Sequence, residues 1–206
     1  PPRSTLFPYT TLFRSFLMVE RRMKKVFLLL GVLMVSGLGA DPEAQNIVPK
    51  WVQSGFYASG KRTIDVLVIH STYNASGGDK YHLSAILKQF QRYRVAAHYL
   101  IDRQGTIFQL VRDSDIAKHA GRSALPDGTG NINSRSIGIE LMNDTTDQPT
   151  ELQYQALTEL IAGLSARYPI RHLVRHSDIA PHRKTDPWNT DWEGIRKRLI
   201  PYGLTF

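Results

Sequence analysis

The amino-acid sequence predicts an α/β fold: a central mixed β-sheet flanked by helices. Three observations predict it. Residues 64–69 (IDVLVI) form a short, continuous apolar run, the pattern of a strand buried on both faces. Apolar stripes with helical spacing alternate with such strand-like runs. The resulting order is strand, helix, hairpin, strand, helix, strand, helix, which suits a sheet with helices packed against it.

Each element has its own signal. The first strand runs into His70. Residues 81–93 predict a helix, because Leu83, Ile86, Leu87 and Phe90 fall on one face. Residues 95–101 (VAAHYLI) and 106–111 (TIFQLV) predict two strands around a turn at 102–105 (DRQG). Residues 136–142 (SIGIELM) predict a further strand. Thr150 opens a long helix, with Gln153 at the spacing of a capping box and Ala156, Leu160, Ile161 and Leu164 as its buried face. Leu173 and Val174 form a short strand leading to His176. Trp192, Ile195 and Leu199 mark a last amphipathic helix.

The 206 residues divide unevenly. Residues 23–40 have the plan of a secretory signal peptide: Lys24 and Lys25, then the apolar stretch VFLLLGVLMV, then small residues up to a cleavage point after Ala40. The apolar stretch is short for a membrane span, so no stable anchor is expected after cleavage, and the location expected is periplasmic or secreted. Residues 1–22 have no usable period and are expected to be a non-native or mis-annotated extension. Residues 41–60 are a polar lead-in, and 61–206 are the expected folded domain.

Composition narrows the chemistry. With 42% hydrophobic and 21% charged residues, the chain suits a globular domain. There is no cysteine, so any metal must be held by His, Asp or Glu. The net charge of +8 is spread over scattered residues, with small clusters at Arg21–Lys25 and Arg196–Arg198. No long basic run is interleaved with aromatics, so nucleic acid is not an expected partner, whereas an anionic polymer is compatible.

Three potential metal ligands stand where a sheet could gather them: His70 at a strand end, His176 after another strand, and Asp186 in the loop beyond it. Two imidazoles and a carboxylate would leave a fourth zinc position open, the plan of a catalytic site. Residue type and spacing also fit three unrelated polar residues, each satisfied by its own neighbours. There is no HExxH to decide between the two.

Five segments occur in the order of a known family's motifs: VIHST (68–72), AAHYLIDRQGTIFQLV (96–111), KHAG (118–121), NSRSIGIEL (133–141) and RHSDIAPHRKTDP (175–187). Together they resemble the zinc-dependent N-acetylmuramoyl-L-alanine amidases related to T7-type lysozyme and peptidoglycan recognition proteins, and within them the AmpD- and AmiD-like subgroup. The resemblance implies that fold, zinc as cofactor, and peptidoglycan or a muropeptide as substrate. It implies His70, His176 and Asp186 as zinc ligands, with Asp where T7-type relatives use Cys. It implies Glu140 as general base and Lys184 as the cation that steadies the oxyanion. His119 and Asn133 are expected to contact substrate, although Asn133 could instead order its loop. Ala97 stands where T7-type relatives carry tyrosine, which shifts proton transfer onto Glu140. Lys118 replaces a common tryptophan, and Arg175, His182 and Trp188 replace common glycines. His98 is expected in the core or behind the metal, and His82, His172 and His182 at the surface. A non-catalytic peptidoglycan-binding module on the same fold is the alternative, though such modules typically lack part of the zinc set.

Overall fold

The apolar run that begins at residue 64 becomes the middle of a six-stranded sheet. The computed structural model describes residues 47–204 and 206. The expected extension at 1–22, the expected signal peptide and residues 41–46 of the lead-in lie outside the described residues.

In chain order the elements are β1 (Ile47–Pro49), β2 (Phe56–Tyr57), β3 (Val66–Thr72), α1 (Leu83–Tyr93), β4 (Tyr99–Ile101), β5 (Ile107–Gln109), β6 (Ile116–Ala117), α2 (Ile132–Arg135), β7 (Ser136–Met142), α3 (Glu151–Arg167), β8 (His172–Arg175), α4 (His176–Ile179) and α5 (Trp192–Leu199). The large sheet has the order β1-β5-β4-β7-β3-β8, and β2 pairs with β6 in a separate ribbon. β4, β7, β3 and β8 run parallel, while β5 runs antiparallel to β4 and carries β1 beside it. The expected mixed sheet is therefore present.

β3 is buried along its whole length because it has neighbours on both edges and cover on both faces. Its alternation sorts side chains by face. Leu67 and Ile69 join Ile137, Ile139 and Leu141 of β7 in a core closed by Leu157, Leu160, Ile161 and Leu164 of α3. Val66 and Val68 face the other way, with Ile132 and Ile179. The register sets Val66 beside Ser136, Val68 beside Gly138 and His70 beside Glu140. That second face carries the polar cleft.

Several expected elements appear with altered ends. β3 continues through His70 to Thr72 rather than ending before it. The strand expected at 95–101 is shortened to β4, since residues 96–98 are buried but irregular. There the His98 backbone N–H donates to Gly138 O and its carbonyl accepts from Leu110. The turn at 102–105 forms as expected, with Gly105 at φ 81° and Asp102 Oδ1 accepting from the Gln104 and Thr106 amides. The capping box at Thr150 and Gln153 is complete in both directions. β1 and β2 come from the lead-in segment, which supplied no strand signal.

Candidate metal centre and cleft

His70, His176 and Asp186 meet at the floor of the cleft, all three buried. β3 delivers His70. β8 ends at Arg175, so His176 opens the one-turn α4 at the same rim of the sheet. Asp186 is returned to this rim by its loop: the Ser177 amide donates to Asp186 O at 2.9 Å, and the Arg183 and Lys184 amides donate to Ala180 O. Ser71 and Asn143, at the ends of β3 and β7, clamp the loop just beyond Asp186 at Trp188. Ser71 Oγ donates to Asn143 Oδ1 at 2.6 Å and accepts from the Trp188 amide, while Asn143 Nδ2 donates to Trp188 O at 2.8 Å.

The donor atoms are close. His70 Nδ1 and His176 Nδ1 lie 2.9 Å apart, and Asp186 Oδ2 is 3.3 Å from the first and 3.1 Å from the second. Nitrogen and oxygen ligands about 2.0–2.1 Å from a tetrahedral zinc stand roughly 3.3 Å apart, so the set needs little movement to fit one. The chemistry of the donors also fits. His176 Nε2 faces Ala120 O at 3.2 Å, which only accepts, so Nε2 carries the proton and Nδ1 presents its lone pair. Electron-rich atoms converging on one point repel one another unless a cation lies between them. Burial, opposed by Asp186 and reinforced by His176, pushes the His70 imidazole down to about 4, so a proton is a poor occupant near neutrality. Burial pushes the Asp186 carboxyl up, but the facing imidazoles of His176 and His70 outweigh it and hold the group below the usual carboxylate range.

Glu140 lies beside His70 in the β3–β7 register and lines the same cleft. Its Oε2 is shielded from solvent and has no hydrogen-bond partner among the described residues. Burial first, and then the Asp186 charge, pushes its carboxyl well above the ordinary range, while Lys184 opposes the rise. Lys184 lines the cleft too. The cleft encloses about 430 Å³. Further out it is walled by Tyr73, Tyr93, Lys118 and Trp188. Trp188 meets Tyr73 edge to face, and the Lys118 ammonium sits 4.2 Å from the Tyr57 ring centre. A buried carboxylate, a lysine and a three-donor metal set around one cavity can bind a carbonyl compound and move a proton beside it.

The remaining expected residues take varied places. His119 reaches the cleft but packs against His70, Nδ1 to Nε2, at 3.0 Å. Burial first, then His70, His98, His176 and Arg62, pushes it well below the usual imidazole value. Asn133 stands behind the cleft wall rather than in it, its Oδ1 accepting from the amides of His119 and Ala120. His98 is fully buried. Its Nδ1 accepts from the Gly138 amide, and burial pushes it down to about 3. Arg175 is paired with Asp178, and His82 and His182 are exposed. Sequence reasoning missed Ser71, Asn143, Ser136 and Gly138. All four are within or next to the quoted motifs, but small polar residues and glycine announce no chemistry until their partners are known.

The chain is similar to known proteins. The family model described as N-acetylmuramoyl-L-alanine amidase matches residues 60–189. The 1,6-anhydro-N-acetylmuramyl-L-alanine amidase AmpD of Citrobacter freundii is 42% identical over 111 residues, which cover 52% of this chain and 59% of that protein. The chain thus spans about three fifths of that curated relative. A crystal structure of AmpD aligns with a TM-score of 0.62 at 30% identity, covering 77% of this chain and 94% of that one. The AmiD amidase of Escherichia coli, solved with the substrate anhydro-N-acetylmuramic acid-L-Ala-D-gamma-Glu-L-Lys, aligns with a TM-score of 0.59 at 32% identity, covering 72% of this chain and 60% of that one.

Proposed function

The chain belongs to the N-acetylmuramoyl-L-alanine amidase family, and on that premise we propose that it hydrolyses the amide between the lactyl group of N-acetylmuramic acid and the L-alanine of a peptidoglycan stem peptide. The observation that carries the proposal is the convergence of His70, His176 and Asp186 beside the unpartnered Glu140 Oε2. His70 Nδ1, His176 Nδ1 and Asp186 Oδ2 would hold zinc, which when bound supplies a Lewis acid that polarises a carbonyl and acidifies water.

The chain's own groups do the rest. Glu140 Oε2 takes a proton from the attacking water as its oxygen adds to the carbonyl carbon, then gives that proton to the nitrogen as the C–N bond breaks. The products are the muramyl carboxylate and the free amine of the stem peptide. The Lys184 ammonium holds the negative charge that develops on the carbonyl oxygen and keeps Glu140 ionisable in a buried place. The aromatic walls, Tyr73 and Trp188, offer faces to a sugar or peptide. Ala97 has no hydroxyl to share the proton transfer, so it rests on Glu140.

For substrate we propose a muropeptide or intact peptidoglycan, on the strength of the ligand seen with the AmiD relative. We further propose that residues 23–40 direct export and that the protein acts in the periplasm or outside the cell. No helix among the described residues is long and apolar enough to cross a membrane.

The test is product analysis. The chain, loaded with zinc, is incubated with a muropeptide of defined structure and the products are weighed by mass spectrometry. Free stem peptide and muramyl sugar are expected. Binding without release would favour a non-catalytic peptidoglycan-binding module and end the hydrolase reading.

A further inference from the structure

We infer that Ser136, acting through His119, fixes which nitrogen of His70 faces the metal, and that Gly138 exists to let His119 occupy that place. The inference rests on the reading of His70 as a metal ligand. His119 is then a positioning residue rather than a substrate contact.

The direction of the hydrogen bonds decides the matter. The chain of bonds begins at a group that can only accept, the carbonyl of Ile132. Ser136 Oγ is 2.6 Å from it and donates its one hydrogen there. Toward His119 Nε2, 3.0 Å away, Ser136 Oγ therefore acts as acceptor, and Nε2 carries the proton. A neutral imidazole has one N–H, so His119 Nδ1 holds a lone pair and accepts from His70 Nε2 at 3.0 Å. His70 Nδ1 is left with its lone pair, pointing at His176 Nδ1 and Asp186 Oδ2. Reversing any one bond leaves two hydrogens or two lone pairs facing each other. Metal-bound histidines commonly depend on such an outer partner to fix tautomer and ring orientation.

The strand is built around this arrangement. Ser136, Gly138 and Glu140 alternate on the cleft face of β7. A Cβ added at Gly138 would stand 2.5 Å from His119 Cγ and 2.6 Å from Nδ1, closer than any real contact allows. β7 cannot back away, because the Gly138 amide donates to His98 Nδ1 and its carbonyl accepts from the His98 amide, each at 3.0 Å. Arg62 pins the start of the strand through Ser136 O at 2.9 Å and Asn133 O at 3.1 Å. Asn133 in turn holds the backbone of His119.

The experiment reads metal binding and tautomer, not turnover. Zinc dissociation constants are measured by chelator competition for the full chain and for Ser136→Ala, Gly138→Ala, His119→Leu and His119→Asn. The ring nitrogen shifts of His70 are read by NMR after chelation. Ser136→Ala is expected to weaken zinc about tenfold, and Gly138→Ala and His119→Leu about 10–100-fold. His119→Asn offers His70 an acceptor near the Nδ1 position and is expected to stay within about threefold of the parent chain. In the parent chain the His70 proton sits on Nε2, while in Ser136→Ala it is shared between the two nitrogens. Parent-like affinity and tautomer in both Ser136→Ala and His119→Leu would overturn the inference. If Ser136→Ala does not fold, the contrast between His119→Leu and His119→Asn decides alone, and equal affinities there overturn it. A parent chain that binds no zinc would instead sink the metal reading, while the His70 tautomer would still report on Ser136.

Discussion

Glu140 Oε2 is walled off from water without a hydrogen-bond partner among the described residues, an arrangement that costs stability and needs a use. If that use is proton transfer, Glu140→Gln will bind zinc in the parent stoichiometry and lose about 10²–10⁴ in kcat. Loss of zinc in that variant would instead make Glu140 a support for a ligand. The acid limb of kcat/KM depends on the same group, because the base works only when ionised. Lys184 is the cation that lowers the Glu140 carboxyl, so Lys184→Ala should move the limb to higher pH as well as reduce the rate. A limb that stays in place would separate Lys184 from Glu140. The candidate ligands and these two groups could be proposed from the chain alone because each sits in a motif with a characteristic order. The support beneath them could not. No spacing rule joins residue 119 to residue 136, and the gap left by Gly138 has meaning only once a ring fills it.

Among the elements, α3 shows how a local signal becomes a tertiary one. Thr150 caps the helix through the Gln153 amide, and Thr150→Ala should cost about 1 kcal/mol. Gln153 is also fully buried, and its Nε2 donates to Ile101 O and Met142 O at the ends of β4 and β7. Gln153→Ala removes both donors and should cost more, about 1–3 kcal/mol for a buried carbonyl left unpaired, although Met142 O keeps a bond from Arg103 at 3.4 Å; denaturant midpoints read it. At the other end of the sheet Arg135 of α2 holds Asp65 just before β3, with Nε at 2.8 Å from Oδ1. The hydrogen bond from Arg135 depresses the Asp65 carboxyl below its ordinary value of 3.8. Its contribution is thus present above that value and lost as pH falls through the folded one. Asp65→Asn should flatten the fall in stability below about pH 4 and change little at pH 7 beyond the lost ion pair. β3, β7 and α3 were legible because long apolar runs and a capping box state their periods. β1, β2 and β6 have two or three residues each, too few for any period, and exist through backbone pairing with partners far along the chain. The shortening of β4 has the same origin: residues 96–98 look like strand, but the His98 side chain and amide are committed to Gly138 and its carbonyl to Leu110.

For the whole molecule, the proposed metal ligands come from both ends of the folded domain, so only the native state can gather them. Zinc at a thousand times its dissociation constant should then add about 4 kcal/mol to stability. Thermal scans should show a rise in Tm of several degrees with zinc, its removal by chelator, and no zinc-dependent part in His70→Ala. A chelator should also abolish peptide release and zinc restore it. The sheet order has one more consequence, in the time of synthesis rather than the geometry of the finished site. β3 is made before both of the strands that flank it, β7 and β8. From the moment Thr72 leaves the ribosome until Ser136 does, a VLVI segment has two open edges and nothing to pair with, the condition that invites pairing with another chain. The strand that carries His70 is therefore an adhesive segment of the nascent domain, one that a chaperone would have reason to cover.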